Sequence, residues 1–438
     1  MEAEESQTKE GKEERVGEEE EEIRLWSWGA GSEGQLATGT LEDQSAPQAL
    51  RSISLVHPIS QMACGGAHAI ALTSNGRVFT WGRGARGQLG HGDLANHLKP
   101  KIVDFLESFV ICFISAGWNH TGFVTDTGRL FMCGDGSFGQ LGNGDNQSRS
   151  LPQEVLFFLS KHVVQVTCGM RHSLALVTTE ACDSSIYGYG SARHGQIGTQ
   201  LSERRRFINI PEVIMGFEDS RIVNLCANGD HSAALSANGK LYTWGRGFSG
   251  CSDYHQPQVL PSSLRFSQIA LGWNHALLVS DGQVYMLGRM LTLVQQTSGR
   301  QNYPDISVFH EALAASAPLL QRITCPDDES VIGIAAGSEH SAMVTDKGKI
   351  MTWGWGEHGQ LGLGNTDDQS TPQTVQIGCK GTGSYGLLRV YCGSGFTFVA
   401  KNGTQKLQNS KTIREGKSGE KKYLNEKHQS SIYWLSTG

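Results

Sequence analysis

Short alternations of apolar and polar residues dominate the sequence, and they predict β-strands rather than helices. After His68 the apolar residues Ile70 and Leu72 alternate with other residues, a turn follows at Asn75-Gly76, and the chain returns through residues 78–81. Two-residue turns of this kind need positive φ and join tightly paired antiparallel strands. A β-rich run, such as residues 163–167, precedes each hairpin. The pattern predicts units of three or four short strands without a crossover helix.

The units share the motif Gly-x-x-His, which marks the start of each hairpin. Its six histidines are 44 to 65 residues apart along the chain: His68, His120, His172, His231, His275 and His340. In the fourth unit Asn228 stands in place of the glycine, and a seventh unit has Phe396 in place of the histidine. Because these histidines are repeated around a ring, we expect each to make a buried structural hydrogen bond between strands rather than to serve catalysis or bind a metal.

The two ends of the repeat array complement each other. The first unit begins with a Trp-Gly strand near Leu25 and has no Gly-x-x-His strand before it, whereas the last unit ends near Ala400 with no Trp-Gly strand after it. Four-stranded units of this length, repeated radially, make a propeller that leaves only short sheet edges. We therefore predict an all-β, seven-bladed β-propeller over residues 23–401, closed by pairing the N-terminal and C-terminal strands in one blade.

A glycine-rich loop follows the Trp-Gly strand in five units. Its pattern Gly-x-Gly-x-x-Gly begins at Gly29, Gly82, Gly134, Gly245 and Gly354, and in four units it continues as Gln-Leu. A phosphate-binding loop of similar pattern exposes its backbone N–H groups at the start of a helix. No helix is predicted here, and five copies of one catalytic loop would be redundant. We interpret the loop as architectural, and we predict no cofactor.

The combination Trp-Gly-x-Gly-x-x-Gly-Gln-Leu-Gly with Gly-x-x-His resembles the regulator of chromosome condensation repeat family. The resemblance covers residues 23–401, about nine tenths of the chain, and the repeats are most similar in style to the plant ultraviolet-B receptor-like subgroup. It implies a seven-bladed propeller whose first blade is completed by both termini, in agreement with the complementary ends. The family includes exchange factors for small GTPases and many protein-interaction modules.

Charge is concentrated at the two ends of the chain. The formal net charge is −6, yet residues 1–22 hold eleven Glu against three Lys or Arg, and residues 402–438 hold seven Lys or Arg against three Glu. We predict an acidic disordered tail at 1–22 and a polar basic disordered tail at 402–438. Phosphates would repel the acidic tail, so we expect no direct DNA binding.

Composition argues against several further classes of protein. The ten cysteines form no CxxC pair, which predicts reduced thiols rather than a disulfide framework or a zinc site. No apolar run approaches the roughly 20 residues that a membrane span needs. Because the sequence opens with glutamates rather than a basic and then apolar segment, we expect no secretion. We expect a monomer of the cytoplasm and/or nucleus that is not an enzyme.

Positions that vary between repeats are candidates for function. The two residues between Gly and His occupy one equivalent place in every blade, so they should line one face of the disc. We predict a partner-binding face that contains Trp118, Arg171, Asp230, Trp273 and Glu339. The alternative is that the two tryptophans only pack on neighbouring blades. Weaker candidates are Arg83, Arg86 and Arg246 in the glycine loops, whose face the sequence does not fix.

Three functions remain open, and a non-enzymatic protein-interaction module is the first of them. The second is guanine-nucleotide exchange on a small GTPase, for which the irregular insert at about 289–328, with a short helix predicted over residues 310–320, is a candidate contact element; the alternative is a degenerate blade. The third is ultraviolet-B reception. It is disfavoured because Gly-Trp-Asn-His at Trp118 and Trp273 lies in the second and fifth units, where we expect no packed indoles, and Asn replaces the Arg of the family motif.

Overall fold

The computed structural model describes residues 25–50, 57–178, 184–201, 206–217, 220–247, 253–288, 320–378 and 387–401. Both predicted tails and most of the predicted insert lie outside these ranges. The described residues form 28 strands in seven four-stranded antiparallel sheets. The predicted seven-bladed propeller is confirmed, and each unit has four strands.

One blade joins the two ends of the propeller. Blade 1 has the order β2-β1-β28-β27 and contains β1 (Leu25–Gly29), β2 (Gln44–Ala49), β27 (Leu388–Cys392) and β28 (Phe396–Lys401). Strand β1 pairs with β28 in continuous register from Leu25 opposite Ala400 to Gly29 opposite Phe396. The ring is therefore closed by hydrogen bonds between strands from opposite ends of the sequence, as the complementary ends predict.

The other six blades follow the chain in order. Blades 2 and 3 are β3 (Ile59–Cys64), β4 (His68–Thr73), β5 (Val78–Gly82) and β6 (His97–Ile102), then β7 (Ile111–Ala116), β8 (His120–Thr125), β9 (Leu130–Gly134) and β10 (Arg149–Glu154). Blades 4 and 5 are β11 (His162–Cys168), β12 (His172–Thr178), β13 (Ser184–Ser191) and β14 (Phe207–Ile214), then β15 (Ile222–Asn228), β16 (His231–Ser236), β17 (Leu241–Gly245) and β18 (Tyr254–Val259). Blades 6 and 7 are β19 (Gln268–Leu271), β20 (His275–Ser280), β21 (Gln283–Gly288) and β22 (Leu320–Ile323), then β23 (Val331–Ala336), β24 (His340–Thr345), β25 (Ile350–Gly354) and β26 (Gln369–Val375).

Blade 6 corrects part of the insert prediction. Residues 320–323 form its outer strand β22, which pairs with β21, and a short 3-10 turn follows at Pro326–Asp328. Leu320, the last residue of the predicted helix, begins this strand, because apolar Leu320 and Ile323 pair with the strand that ends at Gly288. Residues 289–319 lie outside the described residues.

The core lies between blades rather than within them. Every residue of the second strand in blade 2, His68–Thr73, is buried, because a neighbouring blade covers each face of the sheet. One apolar cluster joins blades 2 and 3 through Ile70, Phe123 and Phe131, and equivalent clusters fill the other seams. The outer strands are polar, and six of them carry a proline, at 47, 100, 152, 211, 257 and 372. These prolines protect the exposed sheet edges, because proline cannot donate to a further strand.

Candidate functional site

The Gly-x-x-His turns and the glycine loops lie on the same face of the disc. Each turn joins the first strand of a blade to the second, and each glycine loop joins the third strand to the fourth. The two are hydrogen-bonded within a blade: Arg83 N donates to Ala67 O at 2.8 Å, and Arg246 N donates to Asp230 O at 2.9 Å. We name this surface the turn face. The structure thus places Arg83, Arg86 and Arg246 on the same face as the five main candidates.

The repeated histidines connect neighbouring blades. The side chain of His68 contacts Thr121 of blade 3, with 3.0 Å between Nε2 and Oγ1. Four others contact the equivalent hydroxyl at 2.8 to 2.9 Å: His120 with Ser173, His172 with Ser232, His275 with Ser341, and His340 with Thr397. The hydrogen bond predicted between strands therefore crosses from one blade to the next.

The hydroxyl partner determines the histidine tautomer. Thr121 Oγ1 donates to Gln88 O at 2.7 Å, so this hydroxyl accepts the hydrogen bond from His68 Nε2. Nδ1 of the neutral ring then carries no proton.

Burial lowers the pKa of His68, His172 and His340 to about 3 and the pKa of His120 and His275 to about 4. These five side chains are neutral at physiological pH and unsuited to proton transfer there.

Two exceptions show what the histidine is for. Blade 1 has Phe396 in the histidine position, and the residue that would be its hydroxyl partner in blade 2 is Ala69. Blade 6 has Ala276 at the hydroxyl position, and His231 of blade 5 contacts two backbone carbonyls instead, those of Arg246 and Trp273. Where one member of the pair is missing, the other is also missing or has been redirected. A Ser or Thr directly after the histidine was the sequence signal for this pairing.

The glycine loops are held by a buried glutamine. Gln88 Oε1 accepts a hydrogen bond from Arg86 N at 2.9 Å, and the same bond recurs in four other blades. The backbone carbonyl of this glutamine accepts from the indole of the next blade, as in Trp81 Nε1 to Gln35 O at 2.9 Å. The loop thus links adjacent blades, which supports its architectural interpretation.

Two half-buried tryptophans meet over the propeller axis. Trp118 in blade 3 and Trp273 in blade 6 have ring centroids 5.2 Å apart and planes inclined by 37°. The expectation that these indoles do not pack was wrong, and so was the alternative that they contact neighbouring blades alone. Residues at equivalent turns in blades three apart point toward the axis from opposite sides, so large side chains at both turns reach each other. Sequence separation gave no signal of this contact.

A ring of backbone hydrogen bonds supports the tryptophan pair. Trp118 N donates to Gly169 O at 3.1 Å and Trp273 N donates to Ser338 O at 3.0 Å, each across to the next blade. A cavity of about 20 Å³ lies beside Trp118 and is lined by the innermost residues of several blades, including Cys64, Cys168 and Cys392. It has the size of one water molecule.

The three charged candidates surround this pair. Arg171 lies over the ring of Phe138 with 5.1 Å between the guanidinium carbon and the ring centroid. Asp230 Oδ1 accepts a hydrogen bond from Gln196 at 2.9 Å. Glu339 is 8% exposed and accepts from Asn274, the residue after Trp273, at 2.9 Å. The structure brings all five candidates onto the turn face, with the tryptophans in contact and the charged residues on other blades around them.

Candidate metal sites and membrane-spanning helices were sought among the described residues. No group of three or more His, Cys, Asp or Glu there could hold a metal ion. No helix among the described residues is long and apolar enough to cross a membrane.

Similarity to known proteins agrees with this architecture. The chain is 30% identical over 361 residues to the ultraviolet-B receptor UVR8 of Arabidopsis thaliana, covering 80% of this chain and 77% of the receptor. It is 30% identical over 390 residues to the secretion-regulating guanine nucleotide exchange factor of Mus musculus, covering 86% and 83% of the two chains.

Two solved structures share the fold. Human WBSCR16 superposes with a TM-score of 0.69 at 23% identity, covering 86% of this chain and 98% of that one. Prp20p of Saccharomyces cerevisiae superposes with a TM-score of 0.69 at 24% identity, covering 87% and 92%. The family model of the RCC1-like domain matches residues 24–399. The chain belongs to the RCC1-like domain family.

Proposed function

We propose that this protein is a non-enzymatic interaction module whose turn face binds a protein partner, centred on Trp118 and Trp273. The contact between these two half-buried indoles at the centre of the face carries the proposal. Most of the other large aromatic rings in the blades are buried in the seams, as Trp28 and Trp81 are. Partly exposed tryptophan at the centre of a polar surface is typical of residues that dominate binding energy.

The surroundings of the pair support the same proposal. Arg171 and Asp230 are partly exposed and supply charges of both signs on the face around the indoles, as a polar rim does around an apolar interface centre. Five of the repeated histidines have pKa values of about 3 to 4 and hold neighbouring blades together. They are therefore unsuited to proton transfer at physiological pH, which favours binding over chemistry.

The test compares two variants of the full chain in quantitative partner capture. The double variant Trp118→Ala with Trp273→Ala should lower the affinity for a captured partner at least 30-fold, because truncation of a hot-spot residue costs about 2 kcal/mol or more of binding free energy. Phe105→Ala is the matched control, since Phe105 is 42% exposed on the opposite face of the disc. Equal capture by both variants and the unaltered chain would contradict the proposal.

Exchange activity on a small GTPase is the second candidate. The similarity to the mouse exchange factor, which spans 86% of this chain, favours it. The test measures release of a fluorescent guanine nucleotide from a panel of small GTPases with and without the protein. A rate above the buffer control for one GTPase would support exchange, and unchanged rates across the panel would refute it.

Ultraviolet-B reception is the third candidate. The indole contact and the 30% identity to UVR8 favour it, whereas Asn119 and Asn274 replace the arginines of the family motif. Size-exclusion chromatography and fluorescence before and after irradiation test it. An unchanged elution volume and an unchanged spectrum would refute it.

A further inference from the structure

An aromatic groove lies at the outer edge of the seam between blades 2 and 3. It has a volume of about 590 Å³ and is lined by Phe105, Phe109, Phe131 and residues 148–154, most of which form the outer strand β10. Phe105 belongs to the short 3-10 turn that connects blade 2 to blade 3 on the opposite face of the disc. Its ring is 42% exposed and has an edge contact with Phe131, with 6.1 Å between the centroids. The groove therefore leaves an aromatic surface exposed.

The floor of the groove is held in place before anything binds. The guanidinium of Arg129 lies over the rings of Phe109 and Phe131, at 5.0 and 5.2 Å from their centroids. Two hydrogen bonds of 2.7 and 2.6 Å join this guanidinium to the carboxylate of Glu154. Because the side chains of the floor are already ordered, little conformational entropy is lost when the groove is filled.

The next seam shows how the same position is covered elsewhere in the molecule. Phe157, in the turn that connects blade 3 to blade 4, is equivalent to Phe105 and is only partly exposed. Its ring contacts Tyr187 at 5.5 Å between centroids, and the amine of Lys161 lies 4.4 Å from its centroid. The residue equivalent to Lys161 at the earlier seam is Phe109. Phe105 thus lacks, among the described residues, the cation that covers its equivalent.

The charges around the groove favour a basic occupant. The three nearby arginines already have carboxylate partners: Arg77 with Glu107, Arg129 with Glu154 and Arg149 with Asp145. Asp104, directly before Phe105, is exposed and makes no ion pair among the described residues. A segment that combines apolar side chains with Lys or Arg would cover the ring of Phe105 and face this carboxylate.

The C-terminal tail of this chain has that composition and leaves the propeller on the correct face. Strand β28 starts at the turn face and ends at Lys401 on the opposite face, where the groove lies. Residues 402–438 lie outside the described residues and carry seven Lys or Arg, with one run of four apolar residues, Ile-Tyr-Trp-Leu, at 432–435. The acidic tail at 1–22 contains no such run. Of the two tails, only the C-terminal one therefore matches the groove.

The length of the tail is sufficient. About 30 residues separate Lys401 from the apolar run, and that many residues reach at most about 100 Å when extended. The groove lies at the second seam from blade 1, and packed sheets are about 10 Å apart. The run can therefore reach the groove of its own chain, where tethering gives it an effective concentration near the millimolar range.

We infer that residues 432–435 dock in the groove between blades 2 and 3 of the same chain, with the indole of Trp434 against the ring of Phe105. The lysines that precede the run then lie beside Asp104. The docked segment covers the opposite face of the disc, so the inference is independent of the partner proposed for the turn face.

Hydroxyl-radical footprinting of the full chain tests the contact through the oxidation of Phe105. The double variant Tyr433→Ala with Trp434→Ala should raise this oxidation at least threefold, because it removes the aromatic cover. The matched control is Tyr423→Ala with Leu424→Ala, the other adjacent apolar pair of the tail, which should leave it within error. Both pairs lie outside the repeat array, so the fold of the propeller is retained. Equal oxidation of Phe105 in the unaltered chain and in the Tyr433 and Trp434 variant would overturn the inference.

The reciprocal variant and dilution identify the occupant. Phe105→Ala should raise the oxidation of Trp434 at least twofold, whereas Phe207→Ala, which removes a ring that is 38% exposed on the outer strand of blade 4, should not. Unchanged oxidation of Trp434 in the Phe105 variant would contradict the contact. Protection of Phe105 should persist through a tenfold dilution of the protein, because the tail is tethered. Protection that disappears on dilution would show that a second copy supplies the segment, and it would overturn docking within one chain.

Discussion

The histidine-to-hydroxyl pairs predict a specific acid sensitivity of the fold. Five histidines have folded-state pKa values of about 3 to 4, against an ordinary value of 6.5. Because the folded pKa lies below the unfolded pKa, the unfolded chain binds more protons as pH falls. The resulting stability is fully present above pH 6.5 and is lost as pH falls toward the folded values. The contribution of each histidine to the free energy of unfolding falls by about 2 kcal/mol between pH 7 and pH 5.

One seam of the propeller already lacks the histidine-to-hydroxyl pair and shows how it can be replaced. Blade 1 uses Phe396, and the facing position in blade 2 is Ala69. The double change His68→Phe with Thr121→Ala copies that arrangement at the seam between blades 2 and 3. We expect it to remove one proton from the difference between the two states, which lowers the slope of unfolding free energy against pH by about 1.4 kcal/mol per pH unit below pH 6.

The assay is urea unfolding followed by circular dichroism at half-unit steps from pH 5 to pH 7. The single change Thr121→Ala is the control, because it removes the hydroxyl and keeps the titrating ring. A double variant whose slope equals that of the unaltered chain would refute the assignment of acid sensitivity to these histidines. A control that loses the slope as fully as the double variant would also refute it.

Two further predictions concern single positions. In blade 7, Trp353 Nε1 is buried without a hydrogen-bond partner in the described structure, because the sequence after Gly288 in blade 6 lacks the Gln-Leu-Gly loop that would supply one. Trp81→Phe removes the hydrogen bond to Gln35 O, so Trp353→Phe should lower the free energy of unfolding by about 1 kcal/mol less than Trp81→Phe does. Equal losses of unfolding free energy in the two variants would contradict this prediction. Gly76 has φ +80°, and a Cβ added there would lie 2.8 Å from Val110 Cγ1. Gly76→Ala should therefore destabilise the fold by about 1 kcal/mol or more in thermal unfolding. An unchanged melting temperature would contradict the prediction of strain at this position.

The architecture was largely predictable from the sequence because a strand pattern that recurs at a regular spacing allows few folds. Seven copies of one strand pattern, with complementary ends near Leu25 and Ala400, leave few arrangements other than a closed ring. The role of the glycine loop also followed from its repetition. The outer strand of blade 6 was missed because residues 320–323 follow a long stretch of sequence without the repeat motifs and lack the proline found in the other outer strands.

The candidate site was predictable only in part. The turn residues could be placed on one face because they share one position in the repeat. The contact between Trp118 and Trp273 could not be predicted, since it depends on side chains from blades three apart meeting at the axis.

The central claim is that a partner covers the indole pair on the turn face. Hydroxyl-radical footprinting of the full chain, with and without a captured partner at saturating concentration, measures this directly. Oxidation of both Trp118 and Trp273 should fall at least threefold in the complex, while oxidation of Phe105 on the opposite face stays within its error. Unchanged oxidation of the two tryptophans, with protection elsewhere on the disc, would contradict the claim.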